Sequence, residues 1–168
     1  MIQPGESKTN TIKPDYVSAM EAVYGVPSQE GFGSAVFYVP TSTAGDLEQI
    51  ALAHFRYFVG DLWERYGEDA WMDAWRQVYK RLSDAERDIV AELRALDDCA
   101  ARLSASLIVD EMENTATARA ALSAAFDDGV VTELCVYKVG DGGALSGILV
   151  AARRAATCDM LFLVFLID

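Results

Sequence analysis

The C-terminal end of the chain constrains the fold most. Three apolar runs, Val130–Val139, Leu145–Arg153 and Met160–Ile167, are separated by short polar connections. Their β-branched and aromatic content is that of strands. GDGG at 140–143 reads as a hairpin turn, because glycine tolerates the positive φ such turns need. Ala155–Asp159 joins the second pair, and short joins make neighbours antiparallel. Met160–Ile167 is apolar on both faces, which predicts an interior strand with cover on each side. Ala35–Val39, closed by Pro40, is predicted to join the same sheet.

The middle of the chain has helical periodicity. Asp15–Tyr24 forms a short helix ended by Gly25. Leu47, Ile50, Ala51, His54, Phe55, Phe58, Leu62 and Tyr66 recur at spacings of three and four, predicting a helix over 45–66 broken by Gly67. Trp71, Trp75, Val78 and Leu82 predict the inner stripe of the next. Ser83 with Glu86 reads as a capping box that opens the longest helix, running to about Met112 with a seam of Ile89, Leu93, Leu96, Ala100, Leu103 and Leu107. On that reading Ser83→Ala costs about 1 kcal/mol. Asn114–Thr115 caps a last, alanine-rich helix at about 116–127, with Gly129 at its C′ position.

The expected fold is α+β: four to five helices on one face of a three- to four-stranded antiparallel sheet formed mainly by the C-terminal third. Residues 1–13 read as a flexible N-terminal arm and 14–168 as a single domain. The chain shows no internal repeat.

Charge is distributed unevenly. Residues 44–128 carry 18 Asp and Glu against 9 Arg and Lys, a large share of the whole-chain net of −12. An acidic helical layer repels nucleic-acid phosphate and anionic lipid, so direct nucleic-acid and membrane binding are not expected. A basic protein partner fits the sign. The three cysteines make no CxxC spacing, which points to reduced thiols and a cytoplasmic setting. MIQPGESKTN lacks the features of a signal peptide, and Met160–Ile167 is too short to span a bilayer.

Few residues suggest chemistry. His54 is the sole histidine, and Asp61 lies seven positions on, so the pair is a weak general-base candidate. Glu64 with Glu68 and Asp69 with Asp73 are spaced four apart and are weak metal candidates, though a solvated acidic face is the plainer reading. GDGGALSG at 140–147 matches no phosphate-loop pattern and leads into a strand rather than a helix. Arg153 and Arg154 read as solvated charges at a strand end. No cofactor is expected. Trp63, Trp71, Trp75, Tyr57, Tyr66 and Tyr79 read first as core and second as an interface. For the interface the residues are Trp63, Tyr66, Glu68, Asp69, Trp71 and Asp73.

The leading expectation is an acidic interaction module, an inhibitor or immunity-type protein or a scaffold, that binds a basic partner. Bacterial immunity proteins, antitoxins and phage inhibitors share this compositional profile, a likeness of composition alone. The alternative is a small-molecule or sensory domain with an aromatic-lined pocket between helices and sheet. A third is a carboxylate-dependent enzyme using His54. A sheet edge and the long seam each offer a route to a homo-oligomer.

Overall fold

The computed structural model describes residues 13–40, 45–155 and 158–168. The predicted arm, Lys13 apart, lies outside the described residues, as do residues 41–44. Among the described residues the order is α1 (Asp15–Tyr24), β1 (Gly33–Val39), α2 (Leu47–Val59), α3 (Leu62–Tyr66), α4 (Glu68–Ala74), β2 (Arg76–Lys80), α5 (Ile89–Arg94), α6 (Cys99–Val109), α7 (Thr115–Phe126), β3 (Val131–Gly140), β4 (Ser146–Arg154) and β5 (Met160–Ile167). The fold is α+β.

The sheet has five strands in the order β1-β5-β4-β3-β2, with every neighbouring pair antiparallel. β5 is interior, as its two apolar faces require. In the hairpin between β3 and β4, the Asp141 carboxylate accepts from the Gly143 and Leu145 amides at 2.8 and 3.0 Å.

The helices do not form one layer. They divide between the two faces of the sheet, and the period-two alternation of the strands feeds two separate cores. Val36, Leu163, Val150 and Val136 share one face and pack with α1, α5, α6 and α7. Phe37, Phe162, Ala151 and Cys135 share the other and pack with α2, α3 and α4. Strands buried on both sides have no need of a polar face, which is why β4 and β5 read as continuous apolar runs.

Three predicted helices differ from the structure, each for a local reason. The helix over 45–66 stops at Val59, because Gly60 adopts a left-handed φ of 57° and its amide caps the carbonyls of Arg56 and Tyr57. The stripe from Trp71 to Leu82 splits into α4 and the edge strand β2. Trp75 is extended there, and its indole donates to Glu48 at 2.8 Å while stacking on Tyr137. That anchor lays Gln77–Lys80 against β3.

The long helix becomes α5 and α6. Asp88 caps the first, accepting from the Ala91 amide, and Asp98 caps the second, accepting from the Ala101 amide. Arg102 donates to the Leu96 carbonyl across the break. The restart shifts the buried phase, so Ala101, Ala105 and Ile108 face inward and Leu103 is 70% exposed. Ser83 is exposed in a turn and caps nothing. The expected outcome is therefore that Ser83→Ala shifts stability by no more than about 0.5 kcal/mol. Asp88→Ala, compared in the same urea denaturation series, should cost about 1 kcal/mol. At α7, Asn114 accepts from the Thr117 amide as expected, whereas the C-cap is Asp127 rather than a turn at Gly129.

Candidate functional site

The α2–α4 face combines exposed carboxylates with exposed aromatic side chains. Asp46 caps α2, whose inward side chains Leu47, Ala51, Phe55 and Phe58 are buried. The spacing that buries them turns Gln49, Ala53 and Arg56 outward. The turn at Gly60 redirects the chain, and α3 sends Trp63 inward. Glu68 and Asp69 open α4, where the dipole favours negative charge, and Trp71 points inward.

Trp63 and Trp71 are 4% and 1% exposed. Their rings lie nearly parallel, 5.9 Å apart, and Phe55 meets both edge-on. The Trp71 indole N–H donates to the Trp63 carbonyl at 3.1 Å. These two tryptophans, expected among the interface residues, are thus core packing that supports the face from below. The aromatic cluster fills the space between helices and sheet. Tyr66 is its exposed member, at 46%, with Tyr57 at 51% and the aliphatic Met72 at 39% also exposed on this face.

Around them Glu64, Glu68, Asp69 and Asp73 are all exposed. Among the described residues, Glu68 alone of these four has an ion pair, to Arg56 at 3.9 Å, with both side chains more than half exposed. Among the described residues no three His, Cys, Asp or Glu side chains converge on a position that could hold a metal ion. Arg56 was not picked out by sequence reasoning. Its guanidinium lies 5.2 Å over the Trp63 ring, a contact that crosses the Gly60 turn and has no signature in spacing.

His54 serves packing. Its Nδ1 bonds the Ile50 carbonyl at 2.9 Å, and its ring stacks on Phe162 and tilts against Phe37. No hydrogen bond or ion pair joins it to Asp61, which is exposed beyond the Gly60 turn. The pair is not brought together as a general base.

Two polar clusters lie away from this face. Arg154, expected in solvent, is 8% exposed and stacks 3.8 Å over the Tyr16 ring. Beside it the buried Asp159 accepts from Tyr16 and Tyr38 at 2.6 and 2.9 Å. Arg153 pairs with Glu133 at 3.0 Å. In the second cluster, Arg81 donates to Glu92 through two nitrogens, to Asp127 and to the Phe126 carbonyl. Tyr79 donates to the same Glu92 carboxylate. Both clusters tie helices to the sheet, and Tyr79 and Glu92 of the second also line a cleft of about 310 Å³ with Glu86 and Asp88.

Burial, then the hydrogen bond to Asp159, pushes the Tyr38 phenol up to about 12; burial and Glu92 do the same for Tyr79. A folded pKa above the ordinary 10.0 stabilises the fold fully below that value. The contribution disappears as pH rises towards 12. Stability from denaturant melts is therefore expected to fall over this range, in step with tyrosinate absorbance, and Tyr38→Phe should flatten the decline. A stability curve level across that range would contradict the assignment.

Fold and face together define an α+β protein with an acidic, aromatic-studded helical surface. No family model matches the chain, and comparison with curated proteins and with solved structures gave no match. Among the described residues no helix is long and apolar enough to cross a membrane.

Proposed function

We propose that this chain is a small acidic protein-interaction module whose α2–α4 face docks on a basic partner protein, as an inhibitor, an immunity-type protein or a scaffold. One observation carries the reading. Exposed Tyr66 and Met72 stand among four carboxylates of which one alone touches a cation, and loosely. An aromatic centre with a charged rim is the composition of a binding hot spot. The carboxylates give orientation and association rate.

The support extends to the kind of partner. A second copy pairing antiparallel through β2 about Val78 would set Arg76 opposite Lys80 of its mate, like against like. A basic protein docking on the acidic α2–α4 face, away from Arg76 and Lys80, meets no such penalty. A cytoplasmic setting belongs to the same proposal, supported by three unpaired thiols of which Cys99 and Cys158 are exposed.

The test is affinity capture from the native cell with washes of rising salt, run beside a variant carrying Glu64→Gln, Glu68→Gln, Asp69→Asn and Asp73→Asn. A basic protein should be held at low salt, released at high salt, and lost from the variant. Retention indifferent to both salt and the four substitutions would reject the acidic face as the docking surface.

A further inference from the structure

The proposed docking face has a built centre at Trp63. Its indole N–H is buried and has no hydrogen-bond partner, whereas that of Trp71 beside it has two. A buried donor left unpaired is uncommon and asks for an explanation. Two clefts, of about 310 and 340 Å³, meet at this residue, and both are lined by Trp63 and Arg56. Arg56 is the divider between them. It is more than half exposed, lies over the Trp63 ring and, among the described residues, has one ion pair, the 3.9 Å contact to Glu68. Nothing holds it firmly, and its movement would join the two clefts and open Trp63 to a partner.

We propose that the joined cleft is an arginine-reading groove: an extended basic segment of the partner displaces Arg56, lays its own guanidinium between the Trp63 ring and Glu68, and accepts the Trp63 N–H on a backbone carbonyl. This rests on the docking reading above and names the group that is read. The chain's own Arg56–Trp63–Glu68 contact shows the chemistry the position takes, a planar cation between an indole face and a carboxylate. Charge complementarity selects the occupant, since the rim offers Glu64 and Glu68. A guanidinium suits the indole better than an ammonium, because it is planar, less strongly hydrated and able to stack. Arg56 then acts as an internal competitor, and removing it strengthens binding.

The test uses fluorescein-labelled nona-arginine and nona-lysine peptides and the full chain, read by fluorescence anisotropy. Nona-arginine should bind more tightly than nona-lysine. Arg56→Ala should tighten nona-arginine binding about fivefold. Arg65→Ala removes one positive charge from the same exposed region without uncovering Trp63, and should change affinity by about twofold at most. Trp63→Phe keeps a ring but removes the donor, and should weaken binding about fivefold at a temperature where wild type and variant are both folded. If the two peptides bind equally, or Arg56→Ala behaves like Arg65→Ala, the groove is wrong even though salt-sensitive binding still supports the acidic face. If neither peptide binds wild-type chain at low salt, the docking reading itself fails. Should Trp63→Phe not fold, the comparison of Arg56→Ala with Arg65→Ala decides alone.

Discussion

Arg81→Ala is expected to destabilise the fold by about 3–5 kcal/mol. The Arg81 side chain is 4% exposed and its partners Glu92 and Asp127 are 10% and 18% exposed. Removing the cation leaves two poorly hydrated carboxylates facing each other across the gap, and orphans the Phe126 carbonyl at the end of α7. It also weakens the tie between β2, α5 and α7, which then rests on the Tyr79 bond to Glu92 and the Ile89 amide bond to Asp127. Adding Glu92→Gln to the variant should restore part of the loss by removing one buried charge. Urea denaturation monitored by circular dichroism reads both effects. A loss under about 1 kcal/mol for Arg81→Ala would show that the network is hydrated rather than buried.

Gly147→Ala should cost about 3 kcal/mol or more. Gly147 sits mid-sheet opposite Leu166, and a Cβ there would lie 1.7 Å from the Phe165 carbonyl oxygen and 2.9 Å from the Leu166 Cα. Backbone cannot swing aside as a side-chain tip can, so β4 and β5 would have to part locally. Glycine inside a strand often marks such a close approach. Gly129→Ala is the control, because a Cβ there meets nothing within 4 Å. Equal melting temperatures for the two variants would mean that the sheet yields at this point.

The elements that repeat one period cleanly were legible in the sequence. α1 has the expected bounds, the three C-terminal strands pair as neighbours, and Asn114 caps α7. The errors fall where two readings fit one spacing. Trp71, Trp75 and Val78 satisfy helical periodicity, yet Val78 and Tyr79 are equally good strand residues, and the Trp75 contact to Glu48 and Tyr137 decides the matter from far along the chain. Asp97–Asp98 interrupts an apparently continuous seam, and a run of leucines hides the restart. The two-faced arrangement had a visible sign, since Met160–Ile167 is apolar on both faces and a single helical layer would leave one of them bare.

The candidate face was half legible. Its carboxylates follow from composition and spacing, whereas helical spacing sets Tyr66 on the inner stripe and the structure leaves it exposed. Burial of Trp63 and Trp71, the first reading of the aromatic group, is borne out, and their second reading as interface residues is not. Arg56 was missed because its meaning comes from what lies under it.

The pairing of β1 with β5 sets an order on synthesis. Val36 lies beside Leu163, so the first strand to leave the ribosome waits for a neighbour made much later. During that interval Ala35, Val36 and Phe37, all buried in the finished sheet, lack the strand they pair with. Such a delay slows folding and leaves a sticky stretch open to stray pairing. The nascent chain is accordingly a natural client for a holding chaperone, with the segment around β1 as the stretch to be shielded.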